Sequence, residues 1–207
     1  MAINLVSLVM QFLTPEIIGR VATALGVDRS LLQSAISAAV PGLLAGFSGV
    51  ATQPGGSQKL VDAARQETGT LGKFADMLGG GGQSTFIDRG SQLLTSLLGS
   101  RDQSALAGAI GQFAGLSQGK SGSLLGMLAP LVMGTVAQQQ GAAGLNPSSI
   151  GNLFASQKDN IAAALPADFG KLLGGTDLLN SLGGAARFAA SAGTQATRAT
   201  AASACQR

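Results

Sequence analysis

Residues 31–50, LLQSAISAAVPGLLAGFSGV, run for twenty residues without a charge, and a second uncharged tract extends from Ser121 to Gln157. A helix apolar on every side must be covered by a large core, by lipid or by another chain. This requirement constrains the fold more than any short motif does. The first tract has the length of a membrane span. Its GLLAG segment, Gly42 to Gly46, carries the Gly-x-x-x-Gly spacing that lets helix backbones approach closely. Against a span, Gln33, Ser34, Ser37 and Ser48 interrupt the tract, and Pro41–Gly42 sits in its middle. The flanks lack basic clusters, and the chain has no Trp or Tyr to build an interfacial belt. In the second tract the apolar part, Leu124 to Val136, is thirteen residues and too short to cross a bilayer. Burial in a helical core is the preferred reading of both tracts, and membrane insertion is its rival.

Composition supports close helix packing. Charged residues are 11% of the chain, less than half of a typical share of about 25%. The 31 glycines among 207 residues allow backbones to touch where larger side chains would hold them apart. The net charge of +3 arises entirely after the last acid, Asp177, from Arg187, Arg198 and Arg207. Three dispersed arginines are a poor footprint for phosphate neutralisation, so no nucleic-acid partner is expected. A single cysteine, Cys205, cannot form a disulfide within the chain, which fits a reducing compartment. The N-terminal run MAINLVSLVMQFLTPE has no Lys or Arg before its apolar part, unlike a secretory signal. A cytoplasmic location is the expectation.

Helix punctuation recurs along the chain. Ile3 to Leu13 reads as a short helix apolar on most sides. Thr14 is then an N-cap, Pro15 the first helical residue, Glu16 favourable in the first turn, and Gly26 a stop. Asp28 caps a helix burying Leu31, Leu32, Ala35, Ile36, Ala39 and Val40, and Pro41 predicts a kink or break near Val40. A shorter helix follows to about Val50, then a loop over 52–57 and an amphipathic helix over 58–68 with Lys59, Asp62, Arg65 and Glu67 outward. Gly79 to Gly82 form the strongest break and the best candidate hinge. Further helices are predicted at 84–99, 102–116, 121–139, 147–156, 158–164, 167–173 and 177–205. Strand patterns are almost absent. The expectation is an all-α, compact multi-helix bundle of short Gly/Pro-punctuated helices. Its domains would be an N-terminal subdomain (1–78), a Gly-rich linker (79–83), a C-terminal subdomain (84–183) and a basic Ala/Thr/Ser-rich tail (184–207). A weak internal duplication relates LGVDRSLLQSAISAAVPGLLAG to GLSQGKSGSLLGMLAPLVMG, residues 115–134, with the gap before Pro41 and Pro130 differing by about two residues.

Catalytic chemistry finds little support. Histidine is absent, which removes the commonest general base and metal ligand. No two acids stand at i, i+3 or i, i+4 spacing. AGLSQGKSG, residues 114–122, approaches a phosphate-binding loop through Gly119, Lys120 and Ser121, but Ala114 occupies the place of the first glycine. Such a loop follows a strand, whereas this one follows a helical pattern, so a Gly-rich turn between helices is preferred. The pair of helices around Gly26 resembles a helix-turn-helix, yet the second offers only Arg29, Gln33 and Ser37 before small residues, and packing is the better purpose.

The chain resembles the YidB-like bacterial family, a domain family of unknown function. TPEIIGRVATALGVDRSLLQSAISAAVPGLLAG carries the N-terminal resemblance, and LLGMLAPLVMG with GLNPSSIGNLFASQKDNIAAALPADFGKLLGG the C-terminal one. QKDNIAAALP is its most distinctive stretch, and the similarity spans roughly residues 3 to 182. The resemblance implies a bacterial helical protein, and it brings no catalytic residues to carry over. The tail beyond Gly184 departs from the family pattern. There Arg187 and Arg198 stand eleven residues apart, about three α-turns, so in a helix they would share a face.

Together these readings predict a non-enzymatic, self-associating helical protein of structural or scaffolding type, with membrane activity as the alternative. No catalytic, cofactor-binding or metal-binding residue and no small-molecule substrate is assigned. The self-association residues expected are Gly42, Gly46 and Phe47 in the uncharged tract, and Arg187, Phe188 and Arg198 in the tail. The expected partner is a homo-oligomer or larger assembly.

Overall fold

A computed structural model describes residues 4–69, 72, 82–144 and 146–172, and the described secondary structure is all α. Helices α1 (Leu5–Phe12) and α2 (Pro15–Leu25) meet at a bend of 73°. Asn4 caps α1 by accepting from the Ser7 amide at 3.3 Å, and Thr14 caps α2 by accepting from the Ile17 amide at 3.4 Å. Pro15 opens α2, as the sequence predicts, and Gly26 closes it in the left-handed region (φ 58, ψ 50). Next come α3 (Arg29–Thr52), α4 (Gly56–Gln66), α5 (Gln83–Leu98) and α6 (Ser100–Ala114). Then follow α7 (Gln118–Gly144), α8 (Pro147–Ala164) and α9 (Ala167–Leu172). In α7 the helical path breaks at Gly141 (φ 61, ψ 172), so its regular body is Gln118–Gln139.

The uncharged tracts form the centre of the molecule. From Ala38 to Val50 every residue of α3 is buried, and in α7 the same holds from Leu124 to Ala137. The expected break near Val40 does not occur, and α3 continues through Pro41 for 24 residues. Proline inside a helix costs about 3 kcal/mol through a lost donor and a clash one turn back. Burial of each large apolar side chain returns roughly 1.5–3 kcal/mol, and Leu43, Leu44, Phe47 and Val50 all lie within the core immediately after the proline. Packing therefore outweighs the local penalty. Pro130 is carried inside α7 in the same way. The two helices expected at 147–156 and 158–164 are likewise one, α8, capped by Asn146 accepting from the Ser149 amide at 2.8 Å.

Glu67, expected to point outward, is 1% exposed. It lies just beyond the end of α4, where helical periodicity no longer sets side-chain direction, and it accepts from Arg89 Nε of α5 at 3.1 Å. One hydrophobic cluster runs from Leu5 to Phe169 and draws on helices before and after the 79–83 linker. The expected N-terminal and C-terminal subdomains thus share a core. Residues 79–81 of the linker and the expected helix at 177–205 lie outside the described residues.

Candidate interaction site

The structure sharpens the internal repeat. Gly26 and Gly115 both adopt left-handed φ (58 and 69) at the end of a helix. The next amides, of Val27 and Leu116, donate to carbonyls five residues back, those of Ala22 (3.0 Å) and Gly111 (2.9 Å). The long helices then begin at Arg29 and Gln118, three residues after each glycine, and Pro41 and Pro130 each fall fifteen residues after it. No gap separates the two copies, in correction of the two-residue difference that side-chain similarity suggests. The order is the same on both sides: a first helix (8 residues in α1, 16 in α5), a helix with a glycine stop, a long proline-bearing helix and a following helix. α1–α4 form one unit and α5–α8 the second.

The two glycine turns face one another across a cleft of about 640 Å³. Its walls hold matching positions of both units: Gly26 and Gly115, Val27 and Leu116, Asp28 and Ser117, Leu31 and Lys120. Lys120 closes one side by donating from Nζ to the Gly26 carbonyl at 2.6 Å. This contact accounts for the lysine of the AGLSQGKSG segment, in which Gly115 to Ser117 form the turn between α6 and α7 and Lys120 stands in the first turn of α7.

Elsewhere the units are also stitched together. Leu5 of α1 donates its amide to the buried Gln157 Oε1 of α8 at 3.3 Å. Arg89 of α5 donates to Glu67 and, from Nη2, to the Gln66 carbonyl at 3.2 Å. This ion pair stands in a second cleft of about 420 Å³ between α4 and α5, where Lys59, Asp62, Gln92 and Ser96 supply polar walls and Leu93 and Leu97 apolar ones. Within the core, α3 packs more extensively against α8 and α6 of the second unit than against α2 or α4 of its own. The second unit thus supplies most of the cover of α3, whereas α7 packs chiefly against α5 and α6 of its own unit and is completed by α3, α4 and α1 of the first.

Of the residues expected to mediate self-association, Gly42, Gly46 and Phe47 are buried within the chain's own core. A Cβ on Gly42 would stand 3.0 Å from Leu106 Cδ1 and 3.2 Å from the Phe169 ring, so the close contact it permits is with α6 and α9 of the same chain. The Phe169 ring is itself set edge-on against Phe113, centroids 5.8 Å apart. Arg187, Phe188 and Arg198 lie outside the described residues. Sequence reasoning missed the tightest helix contact: a Cβ on Gly90 of α5 would stand 1.7 Å from the Gly126 carbonyl oxygen of α7. Neither glycine sits in a Gly-x-x-x-Gly pair with the other, because the match is between helices rather than along one. Glu67 and Arg89 were also missed as partners, because they stand twenty-two positions apart and nothing in the sequence marks Glu67 as buried.

Among the described residues no three acids or cysteines gather in a cluster suited to a metal ion. Two helices, Arg29–Thr52 and Gln118–Gln139, are long and apolar enough to cross a membrane by length and composition, and 83% of each qualifying window is buried within the protein. The second exceeds the thirteen residues counted from sequence because the helix starts six residues before Leu124 and admits small and polar residues.

Comparison with curated proteins and with solved structures finds no match in either set. Residues 7–139, well over half of the chain, match the family model described as bacterial protein of unknown function (DUF937). The matched region starts within α1 and stops in α7, so it spans parts of both units and ends before QKDNIAAALP. The chain belongs to this family of bacterial proteins, the YidB family.

Proposed function

We propose that the protein is a non-enzymatic helical scaffold that works by self-association. One observation carries the reading: two units of related build close a single core, in which α3 of the first is covered chiefly by α8 and α6 of the second. Two units that hold each other within one chain present the same complementary surfaces when they meet from different chains. The absence of histidine from the whole sequence and the scarcity of charge agree with a role in packing rather than in acid–base catalysis. The test is the assembly state of the purified full chain by light scattering and electron microscopy. Species above the monomer mass that grow with concentration support the reading; monomer alone, up to the highest soluble concentration, overturns it.

The alternative is a membrane-active protein that exposes α3 and α7 to lipid after the surrounding helices part. It draws on the span-like length and hydropathy of those two helices. Opening would have to offset the loss of a core in which both helices are covered along most of their length. Vesicle flotation separates the readings: co-flotation with liposomes favours insertion, and protein left at the bottom of the gradient rejects it.

A further inference from the structure

How two copies would join follows from the way the units are connected, and the inference rests on the self-association proposed above. The contacts between units include the α3–α8 and α3–α6 packing, the Arg89–Glu67 pair, Lys120 on the Gly26 carbonyl and Gln157 on the Leu5 amide. Covalently, the units are joined only by the stretch from Gly69 to Gly82, which ends in the four consecutive glycines 79–82. Each of those contacts can be made by the first unit of one chain with the second unit of another, leaving every side-chain environment in the core as it is. Exchange of this kind adds no new interface and leaves no apolar surface bare.

We propose that the partner is a second copy of this chain, and that the two associate by exchanging units. Two chains exchanging reciprocally close as a dimer. A chain that gives its first unit to one neighbour and its second to another propagates the same contact along a file of molecules, which is what a scaffold requires. The competing closed monomer is favoured when the connection holds a chain's own units at an effective concentration in roughly the millimolar range. Exchange therefore increases as the chain concentration during folding rises toward that value.

Ser57 of α4 and Gly151 of α8 report the exchange, since a Cβ built on Gly151 lies 3.4 Å from Ser57 Oγ across the unit boundary. Two full-length chains, both carrying Cys205→Ser, are prepared, one with Ser57→Cys and the other with Gly151→Cys. They are unfolded, mixed, refolded over a concentration series and oxidised. Exchange predicts a disulfide-linked heterodimer on a denaturing, non-reducing gel, its share rising with refolding concentration. Neither chain refolded alone should give that band. The double variant in one chain, Ser57→Cys with Gly151→Cys, should form an intrachain link when refolded dilute, which shows that the substitutions leave the fold intact. Oligomers by light scattering without the heterodimer band would overturn exchange and leave self-association through another surface standing. Monomer at every concentration would overturn both.

Discussion

At the residue scale, glycine is where this chain's packing is most exposed to test, because its glycines do three different jobs. Gly90 has backbone of another helix where a Cβ would be, so Gly90→Ala must push α5 and α7 apart. Overpacking of this kind typically costs about 1–3 kcal/mol, read as a lower urea midpoint at unchanged slope. Gly108 in α6 has nothing within 4 Å of a built Cβ and a helical backbone. There Gly108→Ala should stabilise by about 0.5–1 kcal/mol through helix propensity alone. Gly26 and Gly115 form the third class, with open space around them but left-handed φ. Alanine at either should cost about 1–2 kcal/mol, and similar losses at both would support their equivalence in the repeat. Ser48 makes the opposite case to a packed polar group: its hydroxyl is buried with no hydrogen-bond partner among the described residues. Thr135, equally buried, donates to the Leu131 carbonyl at 2.8 Å. Ser48→Ala should therefore raise stability by about 1 kcal/mol, the desolvation cost of an unpaired hydroxyl.

At the scale of the element, local punctuation was legible and long-range competition was not. Thr14, Pro15 and Gly26 mark helix ends through hydrogen bonds and backbone angles confined to a few residues, so sequence alone locates them. Pro41 was misleading because its penalty is local and its compensation is not. Leu106 and Phe169, which lie against Gly42 and help enclose α3, come from distant parts of the chain. The self-association residues suffered the same limit: Gly42 and Phe47 look like an association surface until α6, α8 and α9 are in place. Glu67 became a buried partner because Arg89 arrives from across the linker. Arg89→Met removes that donor from a buried carboxylate and should destabilise by about 1.5–3 kcal/mol, the range for hydrogen bonds to charged groups. An unchanged unfolding midpoint would mean that the pair contributes nothing to joining α4 and α5.

At the scale of the whole molecule, the repeat was visible as a faint similarity, and the structure turned it into a register. The reason is that the units share backbone events, a left-handed glycine and a proline fifteen residues later, more faithfully than they share side chains. Leu31 matches Lys120 and Leu32 matches Ser121, pairs that similarity scoring would reject. One core spanning both units predicts one cooperative unfolding transition. Phe47→Ala in the first unit and Phe154→Ala in the second should each cost about 3–5 kcal/mol and move that same transition, monitored by helical circular dichroism. Two separable transitions, each sensitive to only one substitution, would contradict a shared core.

The central claim is that units made to pack on one another within a chain also do so between chains. Light scattering coupled to size exclusion, on full-length protein refolded from low micromolar to near-millimolar concentration, tests it most directly. Unit exchange gives a mass at the monomer value in the dilute samples and discrete higher multiples whose share grows with refolding concentration. A monomer mass across the entire series would contradict it.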